Sequence, residues 1–270
     1  MRDRERPQPP PPSPERRPPS PPPRPSGLQS LFQRHPTTFA LIAFTVSIYT
    51  LQWITAALFG SGVVCSQGDV FCALGVKDNQ AIRAGEIWRF ITPIFIHVNL
   101  LHLFVNMYSL YALGPAMERF FGASRTLVLY FLTGIMGVAF SLAFSPQPSA
   151  GASGAIFGFL GAFGAFLYLH RAIFGRLGRL QLRQIVIVAL INLALGLSPG
   201  IDNWGHFGGL LTGVGLAWFL GPRFELQQFN LLGRQVVDRQ PWSRVRTKAF
   251  VTTAVVALTA WGAMWLPVGR

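Results

Sequence analysis

Four side chains in this sequence have the types and spacing that a covalent acyl-transfer reaction needs. Ser153 stands in Gly151-Ala152-Ser153-Gly154, and His206 in Gly205-His206-Phe207-Gly208-Gly209. His102 and Asn106 are separated by one helical turn. A serine hydroxyl becomes a nucleophile when a neighbouring imidazole takes its proton. The same imidazole can then return that proton to the leaving amine. The charge that develops on the attacked carbonyl oxygen needs donors fixed in advance. His102 and Asn106 share one helix face and could supply side-chain donors. The backbone N–H of Ser153 could supply another if Ser153 opens a helix, where such groups are free and the dipole is positive. Each residue also has a plainer reading: a serine bonded to a carbonyl, a packed histidine, a pair of interhelical hydrogen bonds.

The elements that would carry these residues are apolar helices. Of 270 residues, 50% are hydrophobic and only 12% are charged, with a mean hydropathy of +0.38. Soluble domains carry about 25% charged residues, so an ordinary soluble enzyme is excluded. Seven apolar spans read as helices near residues 38–59, 97–117, 126–145, 151–169, 184–198, 203–220 and 248–266. Crossing a hydrocarbon core of about 30 Å takes about 20 residues, and the fifth span is short. Only helices or closed barrels satisfy their backbones in lipid. The expected fold class is therefore all-α: a polytopic membrane helix bundle with six core helices and a seventh C-terminal one.

Charge orients the bundle. The segment before the first span, the loop at Arg119 and Arg125, residues 170–183 and residues 221–248 together hold 19 of the 23 Lys and Arg. The alternate segments hold Lys77, Arg83, Arg89 and Arg270. Basic residues stay on the cytoplasmic side, so the N-terminus is expected in the cytosol and the C-terminus outside. The excess of 23 basic over 10 acidic residues has this explanation rather than nucleic-acid binding. Residues 1–37 form a Pro/Arg-rich tail, with twelve prolines in the first 27 residues. It is expected to be disordered and partly polyproline-II, with no signal-peptide core; a partner for it is unassigned. Residues 38–221 form the core, 60–96 an outer loop, 222–247 a cytosolic loop and 248–270 the last span. Cys65 and Cys72 fall on the oxidising side, where a local disulfide and two free thiols are both open.

Polar residues inside spans are expensive and mark function. No Asp or Glu lies mid-span, which removes an aspartyl protease and disfavours a proton-driven transporter. His97 and His102 lack the His-Glu-x-x-His spacing of a zinc protease, and five residues on one helix would point their rings apart. No metal or cofactor is expected. At about 1.5 Å per residue, His102 lies roughly 24 Å from Glu118, Ser153 roughly 25 Å from His170, and His206 roughly 21 Å from Leu220. All three therefore sit at one depth, just below the outer face. Gly154, Gly158 and Ala162 make one small-residue stripe and Gly205, Gly209 and Gly213 another, which lets two helices approach closely.

These motifs together resemble the rhomboid family of intramembrane serine proteases. Gly151-Ala152-Ser153-Gly154 is similar to the family's Gly-x-Ser-Gly motif, which implies that Ser153 is the nucleophile. His206-Phe207-Gly208-Gly209 is similar to its His-x-x-Gly motif, which implies that His206 is the base. His102 and Asn106 resemble its oxyanion pair, and Trp88-Arg89 a structural signature of the first outer loop. Phe157 stands where the family often has a Tyr that packs on the catalytic histidine; a Phe keeps the stacking face. The seventh span resembles the six-plus-one form. The resemblance implies cleavage of single-pass transmembrane proteins near the outer face, in what the charge bias makes a bacterial plasma membrane, with lipid as surroundings and no nucleic acid. A catalytically inactive homologue that binds membrane helices and guides their trafficking is the alternative, and a transporter a distant third.

Overall fold

Pro36, whose missing N–H costs nothing in a first helical turn, opens α1 (Pro36–Phe59). The orphan N–H groups of that turn are met from elsewhere in the chain. Glu118 accepts from the backbone N–H of Thr37 and Thr38, each at 2.8 Å, and from Thr38 Oγ1 at 2.7 Å. A carboxylate at a helix N-terminus also complements the dipole. The computed structural model describes residues 32–60, 62–230 and 233–266; most of the Pro/Arg-rich tail lies outside them.

After α1 the chain makes a long excursion with two short helices, α2 (Val70–Gly75) and α3 (Asn79–Arg83), capped by Asp69 and Asp78. Single 3-10 turns follow at Ile87–Phe90 and Thr92–Ile94. Then come α4 (Leu100–Phe121), α5 (Ala123–Phe144), α6 (Ser153–Leu169), α7 (Arg171–Leu195) and α8 (Asn203–Leu220). A hairpin of β1 (Phe224–Asn230) and β2 (Gly233–Asp238) precedes α9 (Trp242–Ala263). By length and composition, Pro36–Phe59, Ala123–Phe144 and Arg171–Leu195 are each sufficient to cross a membrane, and Ser153–Leu169 is a shorter apolar helix.

The core sits around α6, which packs on α4, α5, α7 and α8. Nearly all of α6 from Ala155 to Leu167 is buried, including Phe159, Leu160, Phe163 and Phe166. Small residues set its distance from α8. A Cβ on Gly209 would lie 2.0 Å from the Gly154 carbonyl oxygen, and one on Gly213 2.0 Å from that of Gly158. Outward-facing side chains such as Leu58, Phe104, Leu190 and Phe250 are large, apolar and exposed, as a lipid-facing surface requires.

Three boundaries differ from the hydropathy reading, each for a local reason. Helix α7 begins at Arg171 rather than near 184, because arginine-rich turns continue a helix that a hydropathy window cuts off; it kinks at Gly175 (φ 54°, ψ −133°). Helix α9 begins at Trp242, directly after Pro241, and its first turns carry Arg244, Arg246 and Lys248. The interhelical segment 222–247 contains an antiparallel hairpin, with Phe224 opposite Asp238 and Gln227 opposite Gln235. It is tied to the bundle where the Phe224 N–H donates to His170 Nε2 at 2.9 Å and Arg125 pairs with Asp238 at 3.5 Å.

The long excursion is itself a fixed structure. A disulfide joins Cys65 and Cys72, resolving the choice that the sequence left open. Asp69, between them, accepts from the backbone N–H of both cysteines, at 2.8 and 2.9 Å. Arg89 is buried and donates to Glu86 at 2.7 Å, Val76 O at 2.8 Å and Ala73 O at 2.9 Å. Trp88 Nε1 donates to Leu74 O at 3.0 Å. Both residues therefore fasten α2 to the 3-10 turn and stand apart from Ser153.

Candidate active site

Ser153 is the first residue of α6 because the chain must turn sharply just before it. Gly151 has φ +125°, a region that side chains with a Cβ rarely adopt. A Cβ there would also meet the His102 ring at 2.7 Å. The Gly151 N–H donates to Pro93 O at 2.8 Å, and a two-bond bridge links Lys77 to Ser149 at 2.8 and 3.1 Å. Lys77 Nζ donates to Ser145 O and Gln147 O at 2.8 and 2.7 Å. The loop between α5 and α6 is thus clamped by the long excursion after α1. Burial pulls the Lys77 ammonium down to about 8, against the opposing pull of Asp202 and Asp78.

His206 lies in the first turn of α8, whose cap Asp202 accepts from the Gly205 N–H at 3.0 Å. The close contact of α6 and α8 brings the two residues together: His206 Nε2 is 2.9 Å from Ser153 Oγ. The Phe157 ring stacks on the imidazole with centroids 4.3 Å apart and planes 10° from parallel. That stack and the hydrogen bond hold the ring from two sides without a carboxylate partner: His206 Nδ1 is buried with no partner.

Helix α4 approaches from the other side. Asn99 caps it by accepting from the His102 N–H at 2.8 Å. Asn106 is buried, and its Nδ2 donates to His102 O at 2.9 Å. Gly151, beside both side chains, places them next to the start of α6. Ser153, His206, His102 and Asn106 all line one cavity of about 920 Å³, together with residues of α4, α6 and α7. Ser153 and His206 are within hydrogen-bond distance of each other, and His102 and Asn106 line the same cavity. Trp88 and Arg89 do not line it.

The sequence reading missed two supports. Lys77 stood in the outer loop as an ordinary charge, and its burial follows only from the fold. His97 was assigned to the same helix as His102, with diverging rings. In the structure α4 starts at Leu100, so His97 precedes it, and the two rings lie 5.0 Å apart. His97 is fully buried, and its backbone N–H donates to Gln52 Oε1 at 3.1 Å. Gln52 in turn bonds Asp69 at 3.2 Å, which connects the disulfide loop to the wall of the cavity. Among the described residues, the one cluster with metal-ligand atoms close together is Cys65, Asp69 and Cys72, whose sulfurs are already joined.

The rhomboid domain profile matches residues 84–223 of the chain. It covers the two 3-10 turns through α8, with every cavity residue named above. The chain belongs to the rhomboid family. Rhomboid protease GluP of Bacillus subtilis is 38% identical over 194 residues, 71% of this chain and 36% of GluP. Rhomboid-like protease 3 of Toxoplasma gondii is 30% identical over 210 residues, 74% of this chain and 79% of that protein. RHOMBOID-like protein 5 of Arabidopsis thaliana is 36% identical over 156 residues, 56% of this chain and 50% of its own length. The chain thus spans about a third to a half of the GluP and plant sequences. As a rhomboid it is an integral membrane protein, and its bundle is the rhomboid-like polytopic helical type.

Proposed function

We propose that this rhomboid is an intramembrane serine endopeptidase that cuts transmembrane substrates near the outer membrane face. The observation that carries the reading is the 2.9 Å contact between Ser153 Oγ and His206 Nε2 on two helices that glycines bring together. His206 takes the hydroxyl proton as Ser153 attacks, then returns it to the leaving amine. Stacking on Phe157 does the orienting that a carboxylate does elsewhere. The oxyanion receives hydrogen bonds from the Ser153 N–H, free in the first turn of α6, and from His102 and Asn106. Water then enters through the polar cavity to release the acyl group. The domain assignment accompanies this reading: a catalytic core over 38–221, with the ninth helix and its hairpin as an addition. Charge bias supports a cytosolic N-terminus and a bacterial inner membrane.

The test is cleavage of a model single-pass substrate by purified protein in liposomes, with labelling by a fluorophosphonate. Wild type should cut and label, and Ser153→Ala and His206→Ala should do neither while keeping their thermal unfolding. Wild-type protein that labels nothing and cuts nothing would instead be an inactive, helix-binding rhomboid. Cleavage by either variant would remove the dyad assignment.

A further inference from the structure

The cavity is deeper than hydrolysis at Ser153 requires. It continues between α4 and α7, over a floor of α6, down to Ala116 on one side and Gln181 on the other. From Leu195 to Gln181 that is roughly 21 Å at 1.5 Å per residue, much of a hydrocarbon core of about 30 Å. Its walls mix apolar and polar side chains, and two of the polar ones, Ser109 on α4 and Asn192 on α7, lie at similar depth.

That depth follows from contacts. A Cβ on Gly164 would lie 3.6 Å from Ile185 and 3.7 Å from Leu182, which fixes the register of α6 against α7. Counting back to Ser153, and forward to Asn192 from the midpoint of Leu182 and Ile185, puts Asn192 roughly 4 Å deeper than Ser153. On α4, Asn106 lies beside Gly151, and Ser109 is roughly 5 Å deeper than Asn106. Ser109 and Asn192 therefore flank the groove about 4–5 Å below the nucleophile. Ser109 Oγ donates to Val105 O, and Asn192 Nδ2 to Val188 O, each at 2.8 Å. The Ser109 lone pairs, the second N–H of Asn192 and its Oδ1 have no other partner among the described residues. Polar capacity left open in a membrane span is costly unless a cavity or ligand meets it.

We propose that Asn192, with Ser109 opposite, reads a hydrogen-bonding side chain of the substrate helix one to three residues deeper than the scissile bond. The span covers an extended or a helical substrate, at about 3.3 or 1.5 Å per residue. The occupant is the substrate's own transmembrane segment, because the groove is continuous with Ser153 and His206 and runs along α4 and α7. The inference rests on the endopeptidase reading for its setting. It differs from a preference for helix-breaking residues, since it requires a bond to Asn192 and not only an easily unwound substrate.

A cycle between enzyme and substrate separates these. Paired substrates carry Asn or Leu at each of the three positions, and are cut by wild type and by Asn192→Leu. Wild type should favour the Asn substrate at one position by about fivefold in kcat/KM, the size of one net hydrogen bond, and Asn192→Leu should cut the preference below twofold. If Asn192→Leu keeps the full preference, the substrate polar group acts through helix unwinding and the proposal is wrong. Equal cutting of both substrates by wild type also overturns it. The same pairs are titrated against Ser153→Ala and Ser153→Ala/Asn192→Leu in bicelles, where binding replaces cleavage. Tighter binding of the Asn substrate by the first alone supports the groove assignment even if wild type cuts nothing, whereas indifference in both sinks it independently of the dyad.

Discussion

Replacing Gly209 by alanine tests whether helix proximity, and not merely the presence of a serine and a histidine, makes the site. The new Cβ would sit 2.0 Å from the Gly154 carbonyl oxygen and 2.8 Å from its carbon. Both are backbone atoms of a helix, so no side chain can rotate away. Real Cβ contacts essentially never fall under 3.0 Å, so α6 and α8 must separate by about 1 Å or more. Gly209 lies one turn from His206, so much of that displacement reaches the 2.9 Å contact with Ser153 and stretches it toward about 4 Å, beyond a hydrogen bond. A misplacement of about 1 Å can cost about 100-fold in rate. Turnover of a model transmembrane substrate in liposomes should fall by about that factor. Gly215, with nothing within 4 Å of a built Cβ, is the control: Gly215→Ala should turn over normally. A Gly209→Ala protein within threefold of wild type would refute the close-approach argument.

Other outcomes follow from the same geometry. Phe157→Ala removes the stacked ring and should lower kcat about tenfold, while Phe157→Tyr should keep it; equal rates for all three would deny the ring an orienting role. His102→Ala and Asn106→Ala should each lower kcat about 100-fold with KM little changed, the usual cost of an oxyanion donor; an unchanged kcat for either variant removes that residue from the oxyanion role. Glu118→Ala strands the α1 donors that its carboxylate now meets and should destabilise the bundle by about 2–4 kcal/mol, read by denaturant unfolding in detergent; a midpoint matching wild type would contradict it. Lys77 has a folded pKa of about 8 against an ordinary 10.5. Between those values the unfolded chain holds the proton more tightly, so the Lys77 contribution to stability should rise as pH climbs through that window. Thermal unfolding of wild type relative to Lys77→Met from pH 7 to 10 measures this, and a flat difference would refute it.

How far the sequence could be read depended on the range of the interactions involved. Helices α4, α5, α6 and α8 were legible because long apolar runs bounded by charge have few other solutions in lipid. That Ser153 and His206 could meet was legible because paired small-residue stripes let α6 and α8 approach. The first turns of α7 and α9 were not, since Arg176, Arg179, Arg244 and Arg246 lower local hydropathy without breaking a helix. The hairpin was passed over because polar Gln227, Gln228 and Gln235 carry a weak pattern that only its ties to His170 and Arg125 make rigid. Lys77 and His97 owe their roles to contacts with residues far along the chain, which no local window contains. The wheel argument for His97 failed because it placed His97 within the helix, which in the structure starts only at Leu100.

The bridge between Lys77 and Ser149 has a consequence for how the molecule comes into being. During synthesis the excursion after α1 is made first, the serine later, and the histidine last, 53 residues beyond the serine. The turn that aims Ser153 leans on partners made earlier in the chain, Pro93 and Lys77. His206 arrives only when α8 packs against Gly154. On the proposed endopeptidase reading, a half-made chain therefore carries a hydroxyl without its base, and activity would begin only once the last core helix is in place.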